Sequence, residues 1–147
     1  MKKIIRLTES DLTIIVKKIL IEGNESEDKF INKILNVLDI PYFKNLKSMG
    51  IDKGQYEDIF SNLYNQPVSV KYDINDNGIV YDSLYNDLYY ENIGSNYWEK
   101  REFDENGKQI YYEDSNGYWT KREYGENGNE IYYEDSKGTI EDYRRRE

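Results

Sequence analysis

Residues 97–117 run Tyr97-Trp98-Glu99-Lys100-Arg101-Glu102-Phe103-Asp104-Glu105-Asn106-Gly107-Lys108-Gln109-Ile110-Tyr111-Tyr112-Glu113-Asp114-Ser115-Asn116-Gly117. Residues 118–138 begin Tyr118-Trp119-Thr120-Lys121-Arg122-Glu123-Tyr124, turn at Glu126-Asn127-Gly128, and resume Ile131-Tyr132-Tyr133-Glu134-Asp135-Ser136. Trp98 returns as Trp119, Gly107 as Gly128 and Tyr111 as Tyr132, a constant offset of 21 residues. A fixed short period predicts a repeat architecture. Asn106-Gly107, Asn116-Gly117 and Asn127-Gly128 punctuate it, and Asn-Gly is the strongest short hairpin signal because both residues tolerate positive φ. Each copy therefore reads as two strands and two turns, and the copies together as an antiparallel β-meander.

The pattern extends in both directions. Tyr81 to Asn92 aligns with Tyr124 to Asp135 at an offset of 43, two periods plus one, which makes it a worn first copy. The extra residue falls in Ile93-Gly94-Ser95-Asn96. Upstream, Val68, Val70 and Tyr72 alternate, Asp73 to Gly78 turns, and Ile79 to Tyr81 returns. From Thr139 the copy becomes polar, with Asp142 and Arg144 to Arg146, as suits a closing strand.

Alternation puts Tyr97, Glu99, Arg101 and Phe103 on one side of their strand and Trp98, Lys100 and Glu102 on the other, so neither face is purely apolar. Trp98, Tyr111, Tyr112, Trp119, Tyr132 and Tyr133 recur at fixed height and form the candidate aromatic binding ladder. Aligned rings suit sugars or cations, through stacking and cation–π attraction. The same rings also suit cross-strand packing in a sheet short of aliphatics.

Composition narrows the chemistry. The chain has 147 residues, no Cys and no His. Disulfides and thiolate metal sites are excluded, and the commonest general base and zinc ligand is missing. No catalytic or metal-ligating set emerges, so the reading is non-enzymatic, without a cofactor. Asp73, Asn75, Asn77 and Gly78 match the early positions of a calcium loop, but Leu84 stands where the bidentate acid belongs, and a hairpin turn explains the same residues. No apolar run approaches the roughly 20 residues of a membrane span. Residues 1–67 carry 10 basic and 10 acidic side chains, and residues 68–147 carry 10 and 19. The repeat half thus holds the whole net charge of −9. That disfavours duplex nucleic acid and anionic membrane surfaces as partners.

The first 67 residues read as helical. Thr8 caps a helix with Asp11 three positions on, and Leu7 and Leu12 fit a hydrophobic staple. Leu7, Leu12, Ile15, Val16, Ile19 and Leu20 make its apolar face, ended by Glu22-Gly23-Asn24. Ser26 or Asn24 caps a second helix with Phe30, Ile31, Ile34, Leu35 and Leu38 inward, stopped near Pro41. Tyr42 to Ser48 is a short helix with Phe43 and Leu46 inward and Gly50 as its C′ residue. Asp52 caps the last, carrying Tyr56, Ile59, Phe60 and Leu63. The fold class is α+β: a leader helix over 1–22, a small helical part over 23–67, and a repeat sheet over 68–147.

Three resemblances add expectations. Ile5 to Lys18 resembles a leader found at the start of many otherwise unrelated tailed-phage proteins. Such a leader implies an address tag that binds scaffold or capsid protein. Leu20-Ile21-Glu22 followed by Gly23 resembles a prohead-protease site, which implies processing between Glu22 and Gly23. The repeat is similar to Rhs-type Tyr-Asp hairpin repeats, with Gly125 where Asp is expected, which implies scaffolding. It also resembles choline- and glucan-binding repeats, but Ile110 and Ile131 stand where their Trp belongs. The leading expectation is a phage-encoded virion or head-associated protein, located in the virion or host cytoplasm. The alternative is a binding module for glycan or a host protein, and the third is an inhibitor of a host defence protein. Self-association through a sheet edge is compatible with each.

Overall fold

The computed structural model describes residues 8, 9, 11, 12 and 26–144. Two compact units divide the chain at Pro67 and Val68.

At the leader, the reciprocal capping box forms. The Thr8 N–H donates to Asp11 Oδ2 at 2.9 Å, and the Asp11 N–H donates to Thr8 Oγ1 at 3.1 Å. The Leu12 N–H reaches the Thr8 carbonyl at 3.0 Å, the first intrahelical bond. Donation by the Thr8 hydroxyl and N–H holds the Asp11 carboxyl below its ordinary pKa. Of the predicted targeting and processing positions, only Leu12 lies among the described residues; Leu7, Ile15, Val16, Ile19, Leu20, Glu22 and Gly23 lie outside them.

The helical unit then contains α1 (Glu27–Val37), α2 (Tyr42–Ser48), a 3-10 turn (Lys53–Gln55) and α3 (Tyr56–Tyr64). Ser26 is the N-cap of α1 through its backbone alone, with no side-chain cap bond. Asp52 does cap, its Oδ1 accepting from the Gly54 N–H at 2.8 Å, but it caps the 3-10 turn rather than α3 itself. Gly50, at φ +71°, ends α2 as a C′ residue, and the Ile51 N–H returns to the Leu46 carbonyl at 3.1 Å. Ile31, Ile34, Phe43, Leu46, Tyr56, Ile59 and Phe60 are buried. The Phe43 and Phe60 rings meet at a centroid distance of 5.0 Å. Burying a side chain of this size stabilises by roughly 1.5–3 kcal/mol, so these residues hold the unit together. Met49 and Ile51 join that core although they lie between helices, where helical periodicity gives no signal. Phe30, Leu35, Leu38 and Leu63 are only half-buried.

The second unit is one eight-stranded antiparallel sheet in sequence order. Its strands are β1 (Val68–Tyr72), β2 (Gly78–Asp82), β3 (Asp87–Asn92), β4 (Tyr97–Phe103), β5 (Gln109–Asp114), β6 (Trp119–Tyr124), β7 (Glu130–Asp135) and β8 (Ile140–Asp142). Six of the seven connections share one five-residue turn: Asp73–Asn77, Asp82–Asn86, Asp104–Lys108, Asp114–Tyr118, Gly125–Asn129 and Asp135–Thr139. In each, the first N–H donates to the fifth carbonyl, and the fourth N–H donates back to the first carbonyl. The fourth residue is left-handed: Asp76, Tyr85, Gly107, Gly117, Gly128 or Gly138. This is the three-residue hairpin loop, a type I turn closed by a left-handed residue. It corrects the expectation that both members of each Asn-Gly pair take positive φ, because Asn106, Asn116 and Asn127 do not. The seventh connection, Ile93 to Asn96, departs from the pattern where the extra residue was placed.

Aspartate is the device behind these turns. Asp104 Oδ1 accepts from the N–H groups of Asn106 and Lys108, both at 2.9 Å. Asp73, Asp82, Asp114 and Asp135 do the same with their own third and fifth residues. At the would-be calcium loop, Asp73 Oδ2 also receives the Asn77 amide at 2.9 Å, so its carboxylate serves the turn.

A second device lies beyond three turns. Glu102 pairs with Tyr111 but Phe103 with Gln109, which leaves Ile110 as a bulge. Ile131 and Leu88 are bulged in the same way in the neighbouring copies. The bulge adds one residue to the second strand and so fixes which face each tyrosine takes.

Candidate functional site

The sheet register sorts the predicted ladder onto two faces. Arg101 pairs with Tyr112 and Arg122 with Tyr133, which places Tyr112 and Tyr133 on the face of Tyr97. Glu102 pairs with Tyr111 and Glu123 with Tyr132, which places those two on the face of Trp98 and Trp119. Tyr111 and Tyr112 are consecutive in a strand and must diverge. The six residues are therefore not one ladder.

A different row forms on the Tyr97 face. The Tyr97 and Tyr112 hydroxyls lie 3.4 Å apart. The Tyr112 and Tyr118 rings follow at a centroid distance of 6.1 Å, tilted by 58°. The Tyr118 and Tyr133 hydroxyls again lie 3.4 Å apart. Tyr97 and Tyr118, the first residue of each copy, complete the row and were not among the predicted ladder residues. Their signal was present as the shared parity of 97, 99 and 101, but joining it to Tyr112 requires the bulge at Ile110.

Each hydroxyl in the row is tied into a polar lattice. Tyr97 donates to Glu99 Oε1 at 2.6 Å, Tyr112 to Asp114 Oδ2 at 3.4 Å and Tyr133 to Asp135 Oδ2 at 3.2 Å. Asp114 and Asp135 thus work with both oxygens, one closing the turn and one receiving a tyrosine. The guanidinium carbons of Arg101 and Arg122 sit 5.4 Å from the Tyr112 and Tyr133 ring centres. Arg101 also pairs with Glu99. The identical spacing in both copies shows that the period is carried by side chains as well as backbone.

The Trp98 face repeats the motif less regularly. Tyr111 donates to Glu113 Oε2 at 3.1 Å and Tyr132 to Glu134 Oε2 at 3.0 Å. Lys100 bridges to Glu113 at 3.0 Å and lies 5.7 Å from the Tyr111 ring centre. Lys121 lies 5.4 Å from the Trp119 ring, and Arg144 lies 4.1 Å from Tyr132. These contacts place the protein's own cations where a stacking ligand would seek an open ring face.

Proton affinities follow from these partners. Burial and the bonds to Glu99 and Tyr112 push the Tyr97 phenol well above its ordinary range. The hydrogen bond with Tyr118, burial and Asp135 push Tyr133 up. Tyr111 and Tyr112 are raised chiefly by burial, and Tyr132 chiefly by Glu134. Each hydroxyl stays protonated and remains a donor.

An open groove of about 830 Å³ lies between the turns Asp104–Lys108 and Gly125–Asn129. Lys108 reaches the Gly128 carbonyl there and covers the Tyr124 ring at 4.7 Å. Asp104, one of the carboxylates that line it, is committed to the turn. Among the described residues no helix is long and apolar enough to cross a membrane.

These features define an α+β protein with a small helical unit and a repeat sheet whose polar side chains are partnered with one another. No protein-family model, curated protein or solved structure matches the chain.

Proposed function

We propose that the chain is a non-enzymatic, phage-encoded structural protein carried in the virion or head, with its leader as an address and its repeat sheet as a self-supporting body. The observation that carries the reading is the lattice on the sheet. Tyrosine hydroxyls, carboxylates and cations satisfy one another at the same spacing in successive copies, as building material does, and few polar groups are left convergent on a substrate. The Thr8–Asp11 capping box supports the leader half, because it gives the helix a start of its own within the phage-like stretch. The partner implied is phage scaffold or capsid protein.

Mass spectrometry of purified particles tests this. The expected outcome is the chain in the particle with a mature start at Gly23. A particle-borne chain with Met1 or Lys2 intact keeps the structural role and removes the processing step. Absence from particles, with the chain present in infected cells, overturns the virion assignment in favour of a host-protein partner.

A further inference from the structure

We propose that the sheet edge at β8 pairs antiparallel with β8 of a second copy, about a twofold axis at Tyr143, to give a symmetric dimer. Among the described residues β8 stands last in the strand order, with β7 as its one strand neighbour. Two bonds fix the direction of its backbone groups. The Tyr143 N–H donates to the Ile131 carbonyl at 2.8 Å, and the Thr139 carbonyl accepts from the Asp135 N–H at 3.1 Å. Thr139, Glu141 and Tyr143 therefore turn their backbone groups toward β7, and Ile140 and Asp142 turn theirs away from the sheet. Arg144 falls in the same phase as Ile140 and Asp142. A second antiparallel strand must set residues of this outward phase against one another.

Side chains choose the register. Residues 141–145 read Glu-Asp-Tyr-Arg-Arg: two acids, a tyrosine and two bases. Turned end for end, this order meets itself with opposite signs. Centring on Tyr143 sets Asp142 of each copy against Arg144 of the other and obeys the backbone phase. Centring on Glu141, Asp142 or Arg144 instead sets a charge against its own copy. Charged edge residues discourage pairing with unrelated strands. Here the order of the signs admits one strand, the same one reversed.

The groups are placed for this pairing. Residues 139–144 are all exposed, with Ile140 at 63% and Tyr143 at 68%. Tyr143 takes a non-hydrogen-bonded position, where facing side chains come closest, so its ring meets its own copy. Arg144 donates twice to Asp142 and once to Glu123. A guanidinium has five N–H groups, which leaves two for Asp142 of the second copy. In the single chain the Arg144 N–H donates to Asp142 Oδ1 at 3.1 Å. Pairing passes that N–H to the carbonyl of the second copy's Asp142. A dimer of this kind serves a protein inside a virion or outside one.

Sedimentation equilibrium of the full-length chain over a concentration series tests the pairing. The expected result is a mass that rises from 17.6 kDa to twice that value and no further. Asp142→Arg sets Arg against Arg, and Arg144→Asp sets Asp against Asp, so each variant alone should stay monomeric. Mixed one to one, the two variants should form a heterodimer, because every facing pair again has opposite signs. That rescue also reports that both variants are folded. Tyr143→Cys should give a disulfide-linked dimer on mild oxidation, in a chain with no other cysteine. Glu141→Cys should not, since residue 141 faces residue 145. An unmodified chain that stays monomeric throughout overturns the proposal, as does growth beyond the dimer. So do single charge variants that associate as the unmodified chain does, a mixture of the two that stays monomeric, or a link through Glu141→Cys in place of Tyr143→Cys.

Discussion

Gly125 opens the only one of the six shared turns that lacks aspartate at its first position. Its neighbours compensate in part, with Asn127 Oδ1 accepting from the Asn129 N–H at 3.3 Å. Aspartate at 125 would restore two acceptor bonds, each worth roughly 0.5–1.5 kcal/mol net. A Cβ there would meet Ile131 Cγ2 at 3.2 Å, close enough to ask that side chain for a few tenths of an ångström. Gly125→Asp should therefore stabilise by about 1 kcal/mol, and Asp104→Gly should destabilise by about 1–2 kcal/mol. Chemical denaturation checks both, as a shift in midpoint with an unchanged slope. The oddity of Gly125 was visible in the sequence by comparison with the Tyr-Asp pattern. The reason was not, because aspartate acts through a turn type that Asn-Gly alone does not specify.

Among the elements, the strands carry tyrosine hydroxyls that must stay protonated to donate to carboxylates two residues on. Tyr81, Tyr97, Tyr111, Tyr112, Tyr132 and Tyr133 all have folded pKa values raised above the unfolded phenol. Such groups contribute stability that is complete below about pH 10 and is lost as pH climbs toward the folded values. Asp73 is lowered by the Asn77 side chain and then by the Asn77 N–H. Burial raises Asp135, but the N–H groups of Thr139 and Lys137 outweigh it, and that carboxyl is lowered too. Their contribution is present above about pH 4 and is lost as pH falls through the lowered values. Thermal melts across pH should show a plateau that falls on both sides, with Tyr111→Phe and Tyr132→Phe softening the alkaline limb. A flat alkaline limb in the unmodified chain would sink the hydroxyl account. Strand positions were legible because alternation and the 21-residue period reinforce each other. The bulges at Leu88, Ile110 and Ile131 were not, since an extra residue leaves no mark in composition. The ladder was misassigned for that reason, together with the divergence of consecutive strand residues.

Taken whole, the molecule is a helical unit of neutral balance followed by a sheet that holds the whole net charge of −9. The sheet is modular. Removing residues 118–138 joins Gly117 to Thr139 and rebuilds the Asp135–Thr139 turn from Asp114, Ser115, Asn116 and Gly117. That variant should fold, with a lower Tm. Removing residues 119–138 instead shifts every downstream side chain to the opposite face and should unravel the C-terminal strands. Circular dichroism melts of the two deletions decide between modular and incidental repetition, and equal stability would refute the modular reading. The strict neighbour order of β1 to β8 also has a kinetic consequence. Every pairing closes a short stretch of chain, so the entropy lost at each step is small and does not grow with the number of strands. Such a sheet zips up one strand at a time, and each strand has its partner waiting as it emerges during synthesis.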